Sequence, residues 1–178
     1  MEIFKLETER LAMRPMIASD TNTLFRLYGD PEVMASRKIG TLDRAKSDTE
    51  LASILDHWRR RNFGLFAIIE KASGQFIGEC GLREIKPDTD DIEISYGLYP
   101  SNWGYGYATE AASKMIEFGF ATLALPKIYG IANSKNASSL KILQRFGMTY
   151  ESDFTDGTSR IVRSSLTRDV YLNLQETR

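Results

Sequence analysis

The chain has 178 residues, of which 42% are hydrophobic and 26% are charged, and its formal net charge is −1. These values are ordinary for a globular protein, and the length predicts one domain, residues 1–178, with a substantial core. The nearly balanced charge disfavours general binding to nucleic acid or to a membrane surface, so we expect neither as a partner.

The first sixty residues predict one strand followed by helices. Polar and apolar residues alternate from Glu9 to Arg14, as in a strand. Ser19 or Asp20 can cap a first helix, and Asp30-Pro31 starts a turn before a second helical region. The run from Ser47 to Glu50 resembles a capping box, which predicts the start of a longer helix.

The middle of the chain predicts three strands joined by tight turns. Phe63 to Glu70 is an apolar run, Lys71 to Gly74 has the composition of a hairpin turn, and Gln75 to Leu82 is the returning strand. Pro87 to Asp91 forms a second turn. Ile92 to Leu98 then alternates apolar and polar residues, which indicates a strand with two different faces.

The last part of the chain predicts two helices and three strands. A helix follows the glycine turn after Trp103 and ends before Pro126, and Lys127 to Ala132 reads as a strand. Asn136 to Phe146 is the second helix, and two closing strands flank an Asp156-Gly157 turn. The order of elements predicts an α/β fold with one mixed sheet flanked by helices.

The glycine turn between the third middle strand and the next helix is suited to bind an anion. The turn and the first helical turn expose free N–H groups, and the helix dipole is positive at the same end. Gly104, Gly106 and Ala108 have little or no side chain, so that a phosphate can approach the backbone. The sequence therefore predicts a ligand that carries phosphate.

Three classes of phosphate ligand use such an element. A nucleotide triphosphate site needs Gly-x-x-x-x-Gly-Lys-Ser/Thr, which this sequence lacks. A dinucleotide fold normally places its glycines after the first strand of repeated βαβ units, whereas here three strands joined by turns come first. Acyl-coenzyme A is the remaining class and the one that we expect.

Three stretches resemble motifs of one family. Trp103 to Ala108 matches the phosphate motif Gln/Arg-x-x-Gly-x-Gly/Ala, with Trp103 in place of the first residue. Asn136 to Ser139 followed by Gly147 matches a later Asn-x-x-Ser element, and Thr8 to Arg14 matches Thr-Glu-Arg-Leu-x-x-Arg. From Thr8 to about Phe154 the sequence thus resembles the GNAT superfamily of N-acetyltransferases, in particular its RimJ/RimL-like branch.

The resemblance implies a GNAT-like α/β fold, with a mixed, mainly antiparallel central sheet of six to seven strands flanked by about four helices. It also implies acetyl-CoA as co-substrate. The pantetheine arm would be bound by backbone groups of Tyr96, Gly97 and Leu98, and by Asn136. The pyrophosphate would be bound at Trp103, Gly104, Tyr105, Gly106, Tyr107, Ala108 and Thr109.

The catalytic candidates are a carboxylate and a hydroxyl. Glu93 lies on the strand before the glycine turn and is our first candidate for the base that removes a proton from the amine, with Glu79 as the second. Ser139 matches the proposed acid of RimL-like enzymes. Many other members of the superfamily place a tyrosine where this chain has Leu143, which disfavours a tyrosine acid.

The expected function is direct transfer of an acetyl group to a primary amine, with a ribosomal-protein-like N-terminal α-amine as the first expectation. The alternatives are a small-molecule amine, such as a polyamine or an antibiotic, and a non-catalytic domain that binds acyl-CoA. We expect a monomer or a homodimer.

Three other residue types are weighed against these candidates. The lone Cys80 excludes an internal disulfide, fits a cytoplasmic location, and is expected to be packed in the core rather than to act as a nucleophile. The single histidine, His57, makes a metal site unexpected. The run from Arg59 to Arg61 is expected to be a solvated face rather than a nucleic-acid patch.

Overall fold

A computed structural model of the chain describes residues 4–35, 37 and 40–177. In these residues eight strands and six α-helices follow one another along the chain. The strands are β1 (Leu6–Glu7), β2 (Leu11–Pro15), β3 (Leu65–Glu70), β4 (Phe76–Glu84), β5 (Ile92–Leu98), β6 (Lys127–Asn133), β7 (Thr149–Asp156) and β8 (Ser159–Thr167). The helices are α1 (Thr21–Tyr28), α2 (Pro31–Met34), α3 (Arg44–Arg61), α4 (Tyr107–Glu117), α5 (Ala137–Arg145) and α6 (Arg168–Glu176).

The strands form one sheet in the order β1-β2-β3-β4-β5-β6-β8-β7. Neighbouring strands are antiparallel except for β5 and β6, which run parallel and are connected through α4. The predicted mixed, mainly antiparallel sheet is confirmed, but it has eight strands rather than six to seven. Part of the difference is β1, in which Leu6 and Glu7 pair with Met13 and Ala12 of β2. The final helix, α6, was not predicted either.

The two parallel strands are paired over only a short stretch. In the part of the chain that the structure describes, their register contains two pairs, Glu93 with Tyr129 and Ile94 with Gly130. β5 nevertheless continues to Leu98. The strands therefore diverge after Ile94, and one edge of β5 has no strand partner from there to its end.

Helices cover both faces of the sheet, and each face has its own hydrophobic core. On one face, α4 and α5 pack Ala111, Met115 and Leu143 against the strands. On the other face, α1 and α3 pack Leu24 and Ile54 into a second cluster. None of the described helices combines the length and the apolar character that spanning a bilayer requires.

The two-faced character predicted for β5 is confirmed. Its apolar residues are buried in the core on the α4 side, namely Ile92, Ile94 and Leu98. Glu93 lies on the opposite face, where its carboxylate accepts a hydrogen bond of 2.8 Å from Arg83. The same guanidinium lies 3.8 Å from Glu50 of α3. β5 thus separates an apolar layer from a layer that contains ion pairs.

The start of α3 differs from the prediction. The helix begins at Arg44, and the carboxylate of Asp43 caps it by accepting a hydrogen bond of 2.9 Å from the backbone N–H of Lys46. Ser47, the predicted first residue of a capping box, is buried inside the helix instead. The prediction was wrong because Asp43 supplies an equally good cap one turn earlier.

Candidate functional site

A cleft of about 1240 Å³ lies where β5 and β6 diverge. Its walls are α2, the end of β5, the start of α4, the loop after β6, and α5. Among the residues that line it are Tyr96, Gly97, Leu98, Trp103, Gly104, Gly106, Tyr107, Ala108, Thr109, Asn136 and Ser139. Two predicted site residues, Glu93 and Tyr105, are not part of this lining. The fold thus brings together candidates that are spread over more than forty positions of the sequence.

The glycine turn presents unbonded backbone to the cleft. Gly104 and Gly106 both have φ of 83°, in the left-handed region that favours glycine. Gly106 precedes α4, and no side chain caps this helix. By contrast, side chains cap four other helices: Asp30 caps α2, Asp43 α3, Asn136 α5 and Thr167 α6. Within the described part of the chain, the first N–H groups of α4 therefore have no side-chain acceptor, and the positive end of the helix dipole faces the cleft.

The turn between β1 and β2 holds the glycine turn in place. Arg10 donates from Nε to Glu110 in the first turn of α4 (2.7 Å) and from Nη1 to the carbonyl of Tyr105 (2.9 Å). The Thr8 hydroxyl also donates to Glu110 (2.5 Å). Although burial raises the pKa of Glu110, these hydrogen bonds lower it more, so the carboxylate stays ionised. Two residues of the N-terminal motif thus fix the geometry of the glycine turn.

The last residue of the same motif, Arg14, pairs with Asp20, one of the two residues predicted to cap the first helix. Arg14 forms two parallel hydrogen bonds with Asp20, of 2.8 and 2.7 Å. The Asp20 carboxylate also accepts from the backbone N–H of Ile17 (2.8 Å) and does not cap α1. The pair therefore fixes the chain between β2 and α1.

Trp103 lies at the mouth of the cleft. Its indole N–H donates to the carbonyl of Leu98 (2.8 Å), while 48% of the residue remains exposed. This bond ties the turn to the end of β5. Among the three β5 residues predicted to bind a pantetheine arm, Leu98 thus has its carbonyl already engaged, whereas the β5 edge at Tyr96 and Gly97 has no strand partner among the described residues.

A model of the acetyltransferase (GNAT) domain family matches residues 10–149, which include all the residues that line the cleft. The chain belongs to the GNAT acetyltransferase family. Members of this family are N-acetyltransferases that use acetyl-CoA as co-substrate.

Relatives with known names or structures agree with this assignment. A Bacillus licheniformis protein named uncharacterized N-acetyltransferase p20 is 31% identical over 171 residues, which cover 94% of this chain and 93% of that protein. The spermidine N(1)-acetyltransferase of Escherichia coli K12 is 25% identical over 149 residues, which cover 71% and 80%. The structure of a ribosomal-protein-S5-alanine acetyltransferase from Vibrio fischeri shares the fold, with a TM-score of 0.77, 17% identity and coverage of 94% and 98%.

In this GNAT domain, Ser139 lies opposite β5 at the start of α5. Its backbone N–H donates to the side-chain oxygen of Asn136 (3.0 Å), which caps the helix. The Ser139 hydroxyl is therefore not used as a cap, and it lies 2.8 Å from the hydroxyl of Tyr96. Burial raises the pKa of Tyr96 to about 12. The prediction for Tyr96 concerned only its backbone and missed this contact of its side chain.

The two carboxylates considered as bases are both paired. The Glu93 side chain is 12% exposed and bonded to Arg83. Glu79 is completely buried, and its Oε1 accepts from Arg37, whereas its Oε2 has no hydrogen-bond partner among the described residues. This ion pair lies against Gly97, where an added Cβ would come within 2.5 Å of the Arg37 guanidinium.

The charged residues that line the cleft are separated by sign. Lys135, Lys141 and Arg145 lie on the α5 side, and none of the three has an ion-pair partner in the described part of the chain. Glu32 of α2 lies on the other side. The cleft is therefore positive along α5 and negative near α2.

The remaining candidates lie outside the cleft. Cys80 is completely buried, and burial raises the pKa of its thiol, so it stays protonated in the core as expected. The three arginines at the end of α3 are paired with carboxylates: Asp56, Glu84, Asp88 and Asp90. Their charge is thus balanced locally. Within the described residues, no group of three or more histidine, cysteine or acidic side chains is arranged to hold a metal ion.

Proposed function

We propose that the chain binds acetyl-CoA in the cleft between β5 and α5 and transfers its acetyl group directly to a primary amine. The observation that carries this proposal is the uncapped start of α4, reached through Gly104 and Gly106, beside the unpaired edge of β5. Backbone amides there can bind a pyrophosphate, and the strand edge can bind the amide groups of a pantetheine arm.

The energetics are sufficient for a micromolar ligand. Each charge-assisted hydrogen bond between an amide and a phosphate contributes about 1.5–3 kcal/mol. Three such bonds approach the ~8 kcal/mol that a micromolar dissociation constant represents. Lys135, Lys141 and Arg145 add positive charge along the same cleft for the other phosphate groups of CoA.

We propose a protein N-terminal α-amine as the acceptor, in keeping with the RimJ/RimL-like motifs at Thr8–Arg14 and Asn136–Ser139. An α-amine with a pKa near ~8 needs only a weak base, whereas a lysine-like amine near ~10.4 must lose its proton at a cost of about 4.6 kcal/mol at pH 7. The carboxylates of Glu79 and Glu93 are both paired with arginines. This supports the α-amine as the acceptor, because it needs the weaker base.

A small cationic amine is the second candidate. The relative that acts on spermidine supports it, because it aligns with 71% of this chain. Glu32 also gives the α2 side of the cleft a negative charge, which attracts an ammonium group.

Within this proposal, Ser139 stabilises the departing thiolate, and Glu93 accepts the proton from the amine. Because Glu93 does not line the cleft and is bonded to Arg83, its action requires a water molecule between carboxylate and amine. The backbone of Tyr96 to Leu98, the turn from Trp103 to Thr109, and Asn136 bind acetyl-CoA.

The proposal is tested in two steps. Acetyl-CoA at about 100 times its dissociation constant stabilises the protein by about 2.7 kcal/mol, which for a chain of this length raises Tm by about 5–10 °C. CoA should give a similar shift, and NAD and ATP should not. Release of CoA thiol is then measured with peptides that have free N-termini and with spermidine. The absence of a shift would contradict the cofactor assignment, and a shift without turnover on either amine would contradict the proposed acceptors.

A further inference from the structure

The hydroxyls of Tyr96 on β5 and Ser139 on α5 lie 2.8 Å apart in the cleft. Tyr96 lies two residues beyond Ile94, so the pair of hydroxyls lies near the point at which β5 and β6 separate. The glycine turn follows the C-terminal end of β5, beyond Leu98. A pantetheine arm bound along the β5 edge from that turn would bring its sulfur toward the two hydroxyls.

Either hydroxyl can donate in this hydrogen bond, and the acidity of the two groups favours Tyr96 as the donor. A phenol is a stronger acid than an aliphatic alcohol, and therefore the better donor. When the Tyr96 hydroxyl donates to Ser139 Oγ over the 2.8 Å between them, the Ser139 proton no longer points at Tyr96. It is then available to a group in the cleft.

We propose that Tyr96 is a positioning residue for acetyl transfer: its phenol orients the Ser139 hydroxyl so that this hydroxyl donates a hydrogen bond to the thioester sulfur. The inference rests on the proposed function. Because the Asn136 side chain already caps α5, the Ser139 hydroxyl is not needed for that purpose. Burial keeps the pKa of Tyr96 at about 12, so the phenol remains a donor at every pH at which the protein is assayed.

The role of Ser139 follows from the bonds and charges that change during acetyl transfer. The amine nitrogen forms a bond to the acetyl carbon, the carbon–sulfur bond breaks, and the sulfur keeps the electron pair. The nitrogen loses one proton and the sulfur gains one, so that the products are the amide and CoA thiol. A hydrogen bond from Ser139 stabilises the negative charge while it develops on the sulfur. Tyr96 acts only through Ser139.

The test compares the wild type with Tyr96→Phe, Ser139→Ala and the double variant, using acetyl-CoA and an amine that the wild type accepts. We expect Ser139→Ala to lower kcat about 10- to 100-fold and Tyr96→Phe about 5- to 10-fold, since one positioned donor is weakened rather than removed. The KM for acetyl-CoA should change less than about twofold, because the β5 backbone remains. The double variant should be no slower than Ser139→Ala, since Tyr96 has no role without the serine hydroxyl.

A matched control separates positioning from packing. Tyr99 is also partly buried, and its hydroxyl donates to the carbonyl of Thr23 (3.3 Å), but it does not line the cleft. Tyr99→Phe should lower Tm about as much as Tyr96→Phe while leaving kcat unchanged. Ser139→Thr, which keeps a hydroxyl, should retain most of the wild-type kcat and should still be slowed by Tyr96→Phe.

Each outcome has a defined meaning. Two results would overturn the positioning role and leave the acetyltransferase proposal standing. In the first, the losses of kcat in the two single variants multiply in the double variant. In the second, Tyr96→Phe has the same kcat as Tyr99→Phe. A wild type that neither binds acetyl-CoA nor releases CoA thiol would overturn both.

Discussion

Replacing Gly104 by alanine tests the phosphate site with little disturbance of the fold. Gly104 lines the cleft, and a Cβ added there would have no atom within 4 Å. The methyl group would therefore occupy only the space through which a phosphate approaches the backbone. The remaining effect on the protein itself is that alanine must adopt a φ of 83°.

Gly74 provides the matched control for that effect. It lies in the turn between β3 and β4, has φ of 68°, and also has no atom within 4 Å of an added Cβ. A left-handed conformation costs an alanine about 1–2 kcal/mol. For a chain of this length, both Gly104→Ala and Gly74→Ala should therefore lower Tm by about 2–8 °C.

Only Gly104→Ala should weaken the binding of acetyl-CoA. Displacing the pyrophosphate by the width of a methyl group removes at least one charge-assisted hydrogen bond, about 1.5–3 kcal/mol, so Kd should rise about 10- to 150-fold. Isothermal titration measures Kd directly, and the fluorescence of Trp103, which is 48% exposed at the cleft mouth, provides a second signal. Equal Kd values for the two variants would refute the placement of the phosphate at this turn.

Three further changes test other parts of the structure. Arg10→Ala removes the hydrogen bonds to Glu110 and Tyr105 and should raise the Kd for acetyl-CoA several-fold in the same titration. Arg59→Ala removes an exposed ion pair with Asp56 and should leave this Kd unchanged. Burial lowers the pKa of His57, so its neutral form stabilises the fold fully above a pH of about 6.5, and this contribution is lost as the pH falls through the lower pKa of the folded state. His57→Gln should flatten that dependence in urea unfolding at a series of pH values, and an unchanged slope would assign it to other groups. If Glu93 acts as a base through water, Glu93→Gln should lower kcat about tenfold, which is less than the 10²-fold loss expected for a base in direct contact. The control Asp90→Asn should leave kcat unchanged. A wild-type kcat for Glu93→Gln would eliminate Glu93 as the base.

The order of elements around the cleft was predictable because its signals are local. The alternation along β5 and the glycines after Trp103 each depend on residues that are close in sequence, and the structure places both as predicted. The helix predicted from Asn136 begins one residue later, at Ala137, with Asn136 as its cap. The start of α3 was not predictable from its capping-box pattern, since Asp43 and Ser47 both offer a suitable oxygen. β1 is only two residues long and leaves too short a pattern to recognise.

The contacts that organise the site depend on distant parts of the chain. Arg10 and Glu110 are 100 residues apart, and Tyr96 and Ser139 are 43 apart. Such pairs meet because the fold brings the turn between β1 and β2 to the first turn of α4, and the start of α5 to Tyr96 of β5. No property of the four residues taken singly indicates their partners. A pattern of charges likewise did not reveal that Glu93 is bonded to Arg83.

The early separation of β5 and β6 has a consequence for how such a protein changes over generations. The separation leaves main-chain groups, which every amino acid carries, at the edge where the acyl donor is proposed to lie. Substitutions at Ser95 or Tyr96 alter side chains but leave those groups in place. Binding of the acyl donor therefore tolerates changes in the side chains of β5. The α2 side of the cleft is formed by side chains, which substitutions do change, so that new acceptors can be acquired while the same donor is retained.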